Sequence, residues 1–419
     1  MCKVKIQAGL ASRLFIFKIC RQKKNLVKFL LMNRIYLDHA ATTYIDDAVK
    51  AAMEPYWQNK FGNASTIYKE GCDARSALNA ARKNIASLIG ANPDEIIFTN
   101  GGTESDNLAI FGIARQYKGG HIITSKIEHH AVLNSCKVLE KENFKVTYLD
   151  VDKNGIIDLK ELKKSLCKDT ILISIMYANN EIGTIQPIKE IAKVIRDYKI
   201  KNKNKKIYFH TDAIQAAGYL DLNVERLGVD LMSVNASKIY GPKGVGFLYA
   251  RRGIKLLPII YGGGQEKGIR PGTENIPSIV GLDKAFEIAQ KMREKESKRV
   301  VSLRDYLIKN ILKIIPDSSL NGNQALRLPN NVNVTIKNVE GESLILYLDA
   351  RGIACSTGSA CTSQDLEPSH VITALGKSRE DAHCSIRFTL GRKTTKADMD
   401  YLLKVLPGIV KKLRNISAI

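Results

Sequence analysis

The stretch DLMSVNASKIYGPKGVGFLYA, residues 230–250, contains two short apolar runs on either side of a lysine and a rigid Gly/Pro turn. Short apolar runs bounded by turn residues are typical of buried strands. Similar runs precede this stretch, at IIFT (96–99), HIITS (121–125), KVTYL (145–149), ILISIMY (171–177) and IYFHTD (207–212). Segments with helical spacing lie between them, at 71–89, 104–117, 130–142 and 187–199. This alternation predicts an α/β fold with a mostly parallel sheet covered by helices.

The chain has 419 residues, more than a single hydrophobic core usually organises, so we expect two domains. The alternating pattern assigns residues 32–290 to a large domain. A helical, charge-rich stretch at 279–315 leads to a second strand-helix region, and residues 291–419 are expected to form a smaller α+β domain. Its apolar segments are VNVTI (332–336), SLILYLDARG (343–352) and SIRFTLG (385–391), followed by a helix at 396–414.

Residues 1–31 form a basic extension with eight Lys or Arg and no Asp or Glu. This composition fits an organellar transit peptide. It also fits a start assigned too far upstream, because Met32 directly precedes the first convincing strand, at 35–37. We expect a cytoplasmic protein, with a mitochondrion or related organelle as the alternative. The apolar pieces of the extension are too short to span a membrane, so no membrane association is expected.

The composition excludes general disorder, since 44% of residues are hydrophobic and 25% are charged. A formal charge of +22 is compatible with nucleic-acid binding. No aromatic side chains that could stack on bases are interleaved with the basic residues, however, so direct nucleic-acid binding is not expected. The eight cysteines include no C-x-x-C pair, which indicates reduced thiols and gives no metal-site signature.

Candidate chemistry lies at the ends of the predicted strands, where ligands of α/β sheets bind. Gly102 and Thr103 sit in a glycine-rich turn that opens a helix, which favours an anion such as phosphate. Asp212 ends one strand and could face a cation or a protonated ring nitrogen. Lys238 follows another and could form a Schiff base. His129 offers a flat ring for stacking. Each signal is weak alone, but together they predict a pyridoxal-phosphate site.

A further candidate is the stretch CSTGSACTS, residues 355–363, which lacks large apolar residues and predicts a mobile loop carrying a thiol. A reactive cysteine must be exposed and able to form a thiolate. Cys361 fits a functional role better than a structural one, whereas Cys355 could be either.

At these residues the sequence resembles the cysteine desulfurases of the NifS/IscS type, within the fold-type-I, class-V aminotransferase superfamily. The resemblance runs from about residue 35 to 414. The matching motifs are YLDHAATT, FGNAS, TNGGTESDNLAI, IEHHAV, ANNEIGTIQP, HTDAIQAAG, SKIYGPKGVG, RPGTEN, GSACTS, LEPSHV and SIRFTLGR.

The resemblance implies pyridoxal 5′-phosphate as cofactor and assigns its contacts by position. Lys238 is the Schiff-base lysine, His129 stacks on the ring and Asp212 pairs with the ring nitrogen. The remaining implied contacts are Gln215 and Asn180 at the phenolic oxygen, and Gly102 and Thr103 at the phosphate.

Further implied roles concern the substrate and a second subunit. Arg387 clamps the substrate carboxylate and Asn63 assists nearby, while Thr273 reaches the phosphate of the neighbouring subunit, which requires a homodimer. Many family members have Ser-x-His before the lysine. Here those positions are Asn235 and Ser237, which can still donate hydrogen bonds to the phosphate.

The implied reaction removes sulfur from L-cysteine, leaving L-alanine and a persulfide on Cys361, with Lys238 as the proton shuttle. The persulfide sulfur would pass to an iron–sulfur scaffold protein or a tRNA-thiolation enzyme. No metal is expected in the resting enzyme, with Cys361 as a transient ligand of an iron–sulfur cluster. Other readings are a selenocysteine lyase or group II desulfurase, an aminotransferase that does not need Cys361, and a basic nucleic-acid-binding protein.

Overall fold

The computed structural model describes residues 34–203, 206–358 and 367–417. The strands in these ranges are β1 (Ile35–Tyr36), β2 (Ile96–Thr99), β3 (Gly120–Ser125), β4 (Phe144–Leu149), β5 (Thr170–Ser174), β6 (Tyr208–Asp212), β7 (Leu231–Asn235), β8 (Gly246–Ala250), β9 (Ser318–Leu320), β10 (Asn331–Ile336), β11 (Ile353–Ala354) and β12 (Ser385–Thr389).

The α-helices in the same ranges are α1 (Asp47–Met53), α2 (Pro55–Gln58), α3 (Lys69–Ile89), α4 (Gly102–Ala114), α5 (His130–Lys141), α6 (Leu159–Ser165), α7 (Ile188–Asn202), α8 (Val224–Leu227), α9 (Ile276–Ile314), α10 (Gly341–Asp349), α11 (His370–Ala374), α12 (Arg379–His383) and α13 (Lys396–Ser417). Within the described ranges, none of these helices is long and apolar enough to cross a membrane.

The central sheet has the strand order β2-β8-β7-β6-β5-β3-β4. Strands β7, β6, β5, β3 and β4 run parallel, whereas β8 is antiparallel to both of its neighbours. The predicted α/β fold with a mostly parallel sheet is therefore confirmed. All five parallel strands turn their carboxyl ends toward the same edge, so side chains that follow β6 and β7 become neighbours.

Both faces of this sheet are buried. Successive side chains of a strand point to opposite faces and so enter two different apolar cores. Phe247 of β8 packs in one apolar core with residues of α3, α7 and the start of α9. Its neighbour Leu248 packs in a second core with residues of α4 and α5. The same alternation separates Phe98 from Ile97 in β2. Coverage on both faces explains why these strands are almost continuously apolar.

A separate core surrounds the smaller antiparallel sheet, whose strand order is β12-β10-β9. Helices α10, α13 and the second half of α9 supply its apolar side chains. Residues 343–349 of the predicted strand-helix region lie in α10, where the Glu340 carboxylate caps the helix by accepting from the Glu342 and Ser343 N–H groups. Leu37 lies in this core, and β1 pairs with β11. The predicted domain boundary at residue 290 falls inside α9, which contributes to both cores.

Candidate active site

A cavity of about 170 Å³ lies at the carboxyl edge of the central sheet, where it meets the smaller sheet. It brings together most of the residues that the sequence predicted as functional. Its lining residues are Ala40, Ala41, Gly102, Thr103, His129, Met176, Asn180, Asp212, Ile214, Gln215, Asn235, Lys238 and Arg387.

One end of the cavity is formed by the turn between β2 and α4. Gly101 has a φ of 141°, a backbone conformation that side-chain-bearing residues rarely adopt, and Gly102 begins the helix. A Cβ at Gly102 would lie 2.1 Å from Cδ1 of Ile214, so a larger residue here would require the end of that side chain to move. The Asn235 carboxamide lies beside this turn, and its oxygen accepts from the Ser237 N–H at 2.9 Å. The helix that begins at Gly102 turns its N-terminus toward this end of the cavity, which suits an anion.

Asp212 and Lys238, whose side chains carry opposite charges, both line the cavity. Burial raises the pKa of Asp212 to about 6, although a hydrogen bond from the Ile214 N–H and the Lys238 ammonium both oppose the increase. Lys238 ends a short 3₁₀ turn after β7, and its ammonium donates to the Ala41 carbonyl. A cationic group bound next to Asp212 would stabilise its ionised carboxylate, so the raised pKa suits a site for a cationic ligand.

The His129 imidazole lies in the cavity wall at the start of α5. Its Nδ1 accepts from the Ala131 N–H at 3.1 Å, which assigns the ring hydrogen to Nε2 in the neutral form. Burial and, to a smaller extent, the neighbouring His130, Lys238 and His370 together lower the pKa of His129 to about 4. The ring is therefore neutral at physiological pH and suited to stacking on another flat ring.

Arg387, in β12, brings the smaller sheet to the cavity and is only 1% exposed. One terminal nitrogen, Nη1, donates to the Asn180 carbonyl at 2.9 Å. The other, Nη2, donates to the Asp38 carboxylate at 2.8 Å. The third nitrogen, Nε, is buried and has no hydrogen-bond partner among the residues that the structure describes. A buried donor of this kind points to a ligand with an acceptor group.

Three predicted residues do not line the cavity. Ser237 is buried next to it, and its carbonyl accepts from both the backbone and the hydroxyl of Thr43. Asn63 and the exposed Thr273 instead adjoin an open groove of about 710 Å³, whose lining includes their neighbours in sequence. Cys361, the predicted nucleophile, lies outside the described residues.

Sequence reasoning missed two carboxylates around the cavity. Asp38 lies in the YLDHAATT motif and Glu181 in the ANNEIGTIQP motif, so both motifs were noticed without these roles. Glu181 is 2% exposed and accepts from the Ser369 hydroxyl at 2.5 Å. A Cβ at Gly358 would lie 2.8 Å from the same carboxylate. Glu181 thus contacts the chain on both sides of residues 359–366.

Comparison with known proteins agrees with this geometry. A family model described as aminotransferase class-V matches residues 35–402. The chain belongs to the class-V aminotransferase family. It is 54% identical to a cysteine desulfurase IscS of Dictyoglomus turgidum, covering 92% of this chain and 97% of the relative. It is 53% identical to a cysteine desulfurase IscS of Methanosarcina thermophila, covering 91% and 93%.

Solved structures agree with the sequence comparison. A NifS-like protein superposes with a TM-score of 0.84 at 37% identity, covering 90% of this chain and 100% of the other. A NifS-like protein from Rickettsia africae superposes with a TM-score of 0.80 at 31% identity, also covering 90% and 100%. The resemblance to the cysteine desulfurases of the NifS/IscS type is therefore confirmed, and the chain is an enzyme of a family whose members generally use pyridoxal phosphate.

Proposed function

We propose that this enzyme is a cysteine desulfurase that uses pyridoxal phosphate to convert L-cysteine into L-alanine and a persulfide on Cys361. The observation that carries the proposal is the convergence of Lys238, Asp212, His129 and the Gly102 turn on one cavity. The identity to cysteine desulfurases over more than nine-tenths of the chain supports the choice of reaction.

The residues of the cavity fit pyridoxal phosphate. The turn at Gly102, with Thr103, would hold the phosphate, helped by Asn235 in place of the residue that many relatives use. Asp212 would pair with the ring nitrogen, and a cation there would reverse the pKa increase that burial causes. The neutral His129 would stack on the ring, Gln215 and Asn180 would lie at the phenolic oxygen, and Lys238 would hold the cofactor covalently. When bound, pyridoxal phosphate provides an electron sink that makes the substrate α-proton removable.

The other residues act on the substrate. Arg387 would bind the cysteine carboxylate through its Nε, which has no partner among the residues that the structure describes, because a guanidinium binds carboxylates along one of its edges with two parallel N–H groups. Lys238, once released as a free amine, would take the α-proton and return a proton to the carbon fragment. Both groups line the same cavity, so binding and proton transfer would occur at one place.

Sulfur transfer is assigned to Cys361. Its thiolate attacks the substrate sulfur, a sulfur–sulfur bond forms and the carbon–sulfur bond breaks, and the carbon fragment keeps the electron pair and is protonated. L-cysteine and the enzyme thiol thus give L-alanine and the enzyme persulfide, with no external oxidant or reductant. Cys355, by contrast, is buried, and burial raises the pKa of its thiol, so it is a poor nucleophile.

The test measures cofactor absorbance of purified protein before and after L-cysteine, with sulfide and alanine assayed in the same sample. Wild-type protein should change its absorbance and form both products. Cys361→Ala should keep the cofactor and lose sulfide release, whereas Lys238→Ala should lose covalent attachment of the cofactor. Cys384→Ala, a partly exposed thiol away from the cavity, is the matched control and should behave like wild type.

Two outcomes would overturn the proposal. Sulfide release that survives in Cys361→Ala would remove this thiol from the reaction. A wild-type protein that binds the cofactor and exchanges amino groups without releasing sulfide from cysteine would be an aminotransferase instead.

A homodimer is the proposed assembly. The open groove of about 710 Å³ is lined by residues within 64–82, 94–97 and 250–274, and the first and last of these segments also carry large exposed apolar side chains. Ile67 is 91% exposed and Tyr261 is 85% exposed, which is unusual for side chains of this size. A second copy covering this face would bury them and would bring its Thr273 toward the phosphate cradle. The Arg270 guanidinium donates to Glu104 of the same chain at 2.8 Å, so the Thr273 segment has a defined position on the face that the second copy would cover.

The proposed sulfur acceptor is a scaffold protein of iron–sulfur cluster assembly or a tRNA-thiolating enzyme, because a persulfide on a protein thiol is transferred by contact with a partner. The proposed compartment is the cytoplasm. Its support is that the five cysteines among the described residues carry free thiols, as expected in reducing surroundings.

A further inference from the structure

Asp38 forms an ion pair with Arg387 that the reaction described above does not use. The carboxylate accepts from Nη2 at 2.8 Å, and the two side chains are 16% and 1% exposed. Burial raises the pKa of Asp38, while the Arg387 guanidinium and the Lys238 ammonium lower it. A carboxylate that contacts the substrate-binding guanidinium lies where it can affect substrate orientation.

The backbone holds Asp38 at a fixed distance from Arg387. Thr389, two residues beyond Arg387 in β12, donates its N–H to the Leu37 carbonyl at 2.7 Å, and its carbonyl accepts from the His39 N–H at 3.3 Å. The Tyr36 hydroxyl donates to the Asp38 carbonyl at 3.0 Å. The backbone of Asp38 is therefore tied to β12, so its carboxylate approaches the guanidinium from a defined position.

The contacts of Arg387 leave one edge of the guanidinium available. Each terminal nitrogen carries two N–H groups; one on Nη1 donates to the Asn180 carbonyl and one on Nη2 donates to Asp38, whereas Nε has no partner among the described residues. A carboxylate that binds a guanidinium with two hydrogen bonds uses either the two terminal nitrogens or the edge of Nε and one terminal nitrogen. We propose that Asp38 is a positioning residue, which holds Arg387 so that the substrate carboxylate binds along its Nε edge.

This proposal rests on the proposed function. It makes a prediction that distinguishes a positioning residue from a residue that binds the substrate itself. Asp38 and the substrate carboxylate are two anions beside one cation, so losing Asp38 should not weaken anion binding. It should instead let the guanidinium rotate and bind the substrate in unproductive orientations. The expected signature is a lower kcat with an unchanged or lower KM, opposite to the higher KM expected when Arg387 itself is replaced.

The experiment compares Asp38→Ala, Asp38→Asn and Arg387→Lys in the cofactor-loaded enzyme, with Asp349→Asn, which breaks a partly exposed ion pair with Arg34, as control. Asp38→Ala should lower kcat about tenfold or more without raising KM, as expected for a misplaced reactant. Asp38→Asn should recover most of kcat, to within about threefold of wild type, because its amide oxygen still accepts from Nη2. Cofactor absorbance should be the same in all variants, which separates this effect from damage to the cofactor site.

Binding of 3-mercaptopropionate, a cysteine analogue without the amino group, gives a second measurement that needs no turnover. Its dissociation constant should rise about tenfold in Arg387→Lys, which loses the two-bond edge, and stay level or fall in both Asp38 variants. If wild type releases no sulfide but this binding pattern holds, the proposed function fails and the role of Asp38 stands. The role of Asp38 is overturned if Asp38→Ala keeps wild-type kcat, if Asp38→Asn is as slow as Asp38→Ala, or if Asp38→Ala weakens the probe as much as Arg387→Lys.

Discussion

Replacing Glu128 by glutamine should change from slightly destabilising at about pH 5 to stabilising at about pH 8. Glu128 directly precedes His129, and its side chain is 0% exposed. Its carboxyl group accepts hydrogen bonds from uncharged donors, the Ser125 hydroxyl at 2.6 Å and the Met176 N–H at 2.9 and 3.1 Å. Burial outweighs these hydrogen bonds and raises the pKa of Glu128 from 4.5 to about 8.

The sign of the effect follows from proton binding. Between pH 4.5 and about 8 the folded protein keeps a proton on Glu128 that the unfolded chain releases, so wild-type stability falls as the pH rises across this window. The slope is at most about 1.4 kcal/mol per pH unit, which gives an upper bound of about 5 kcal/mol over the whole window. Glutamine removes this dependence and costs about 1 kcal/mol, because its NH₂ group replaces one hydrogen-bond acceptor.

The assay is urea unfolding of wild type, Glu128→Gln and the exposed control Glu294→Gln at several pH values between about 5 and 9. Glu128→Gln should be slightly less stable than wild type at the acidic end and more stable, by a few kcal/mol at most, at the alkaline end. The control should follow wild type throughout. A stability difference that does not change with pH would mean that Glu128 is already ionised in the folded protein at about pH 5, and the burial argument would be refuted.

Further predictions concern the cradle, Glu181 and the subunit face. Gly246→Ala should weaken pyridoxal phosphate binding in an absorbance titration, because its Cβ would lie 2.5 Å from the Val234 carbonyl oxygen and 2.9 Å from the Gly101 Cα, whereas Gly408→Ala, whose Cβ would meet no other part of the protein within 4 Å, should bind normally. Glu181→Ala and Ser369→Ala should each slow sulfide release without changing cofactor absorbance, and the double variant should be no slower than the worse single one, since both remove the same hydrogen bond. Tyr261→Arg should shift the protein from dimer to monomer in light scattering, and an unchanged mass would contradict the proposed subunit face.

The sequence predicted the parts of the site that belong to consecutive strand ends. Asp212 and Lys238 each follow an apolar run directly, and parallel strands bring such positions together without further information. Asp38 and Arg387 are 349 residues apart, and their pairing depends on a backbone bridge between the start of the chain and β12. No periodicity or spacing indicates such a contact. The same holds for Glu181, whose partners come from other parts of the chain.

Helix α9 contributes to both the core of the central sheet and the core of the smaller sheet, through residues such as Phe286 and Leu307. With 39 residues it is about 58 Å long, and its hydrogen-bond ladder continues without interruption from one core to the other. Losing either core would expose half of this helix, which could not persist alone in water. The helix therefore couples the two cores into one cooperative folding unit, and the backbone amides at its centre should be among the slowest in the protein to exchange with solvent deuterium.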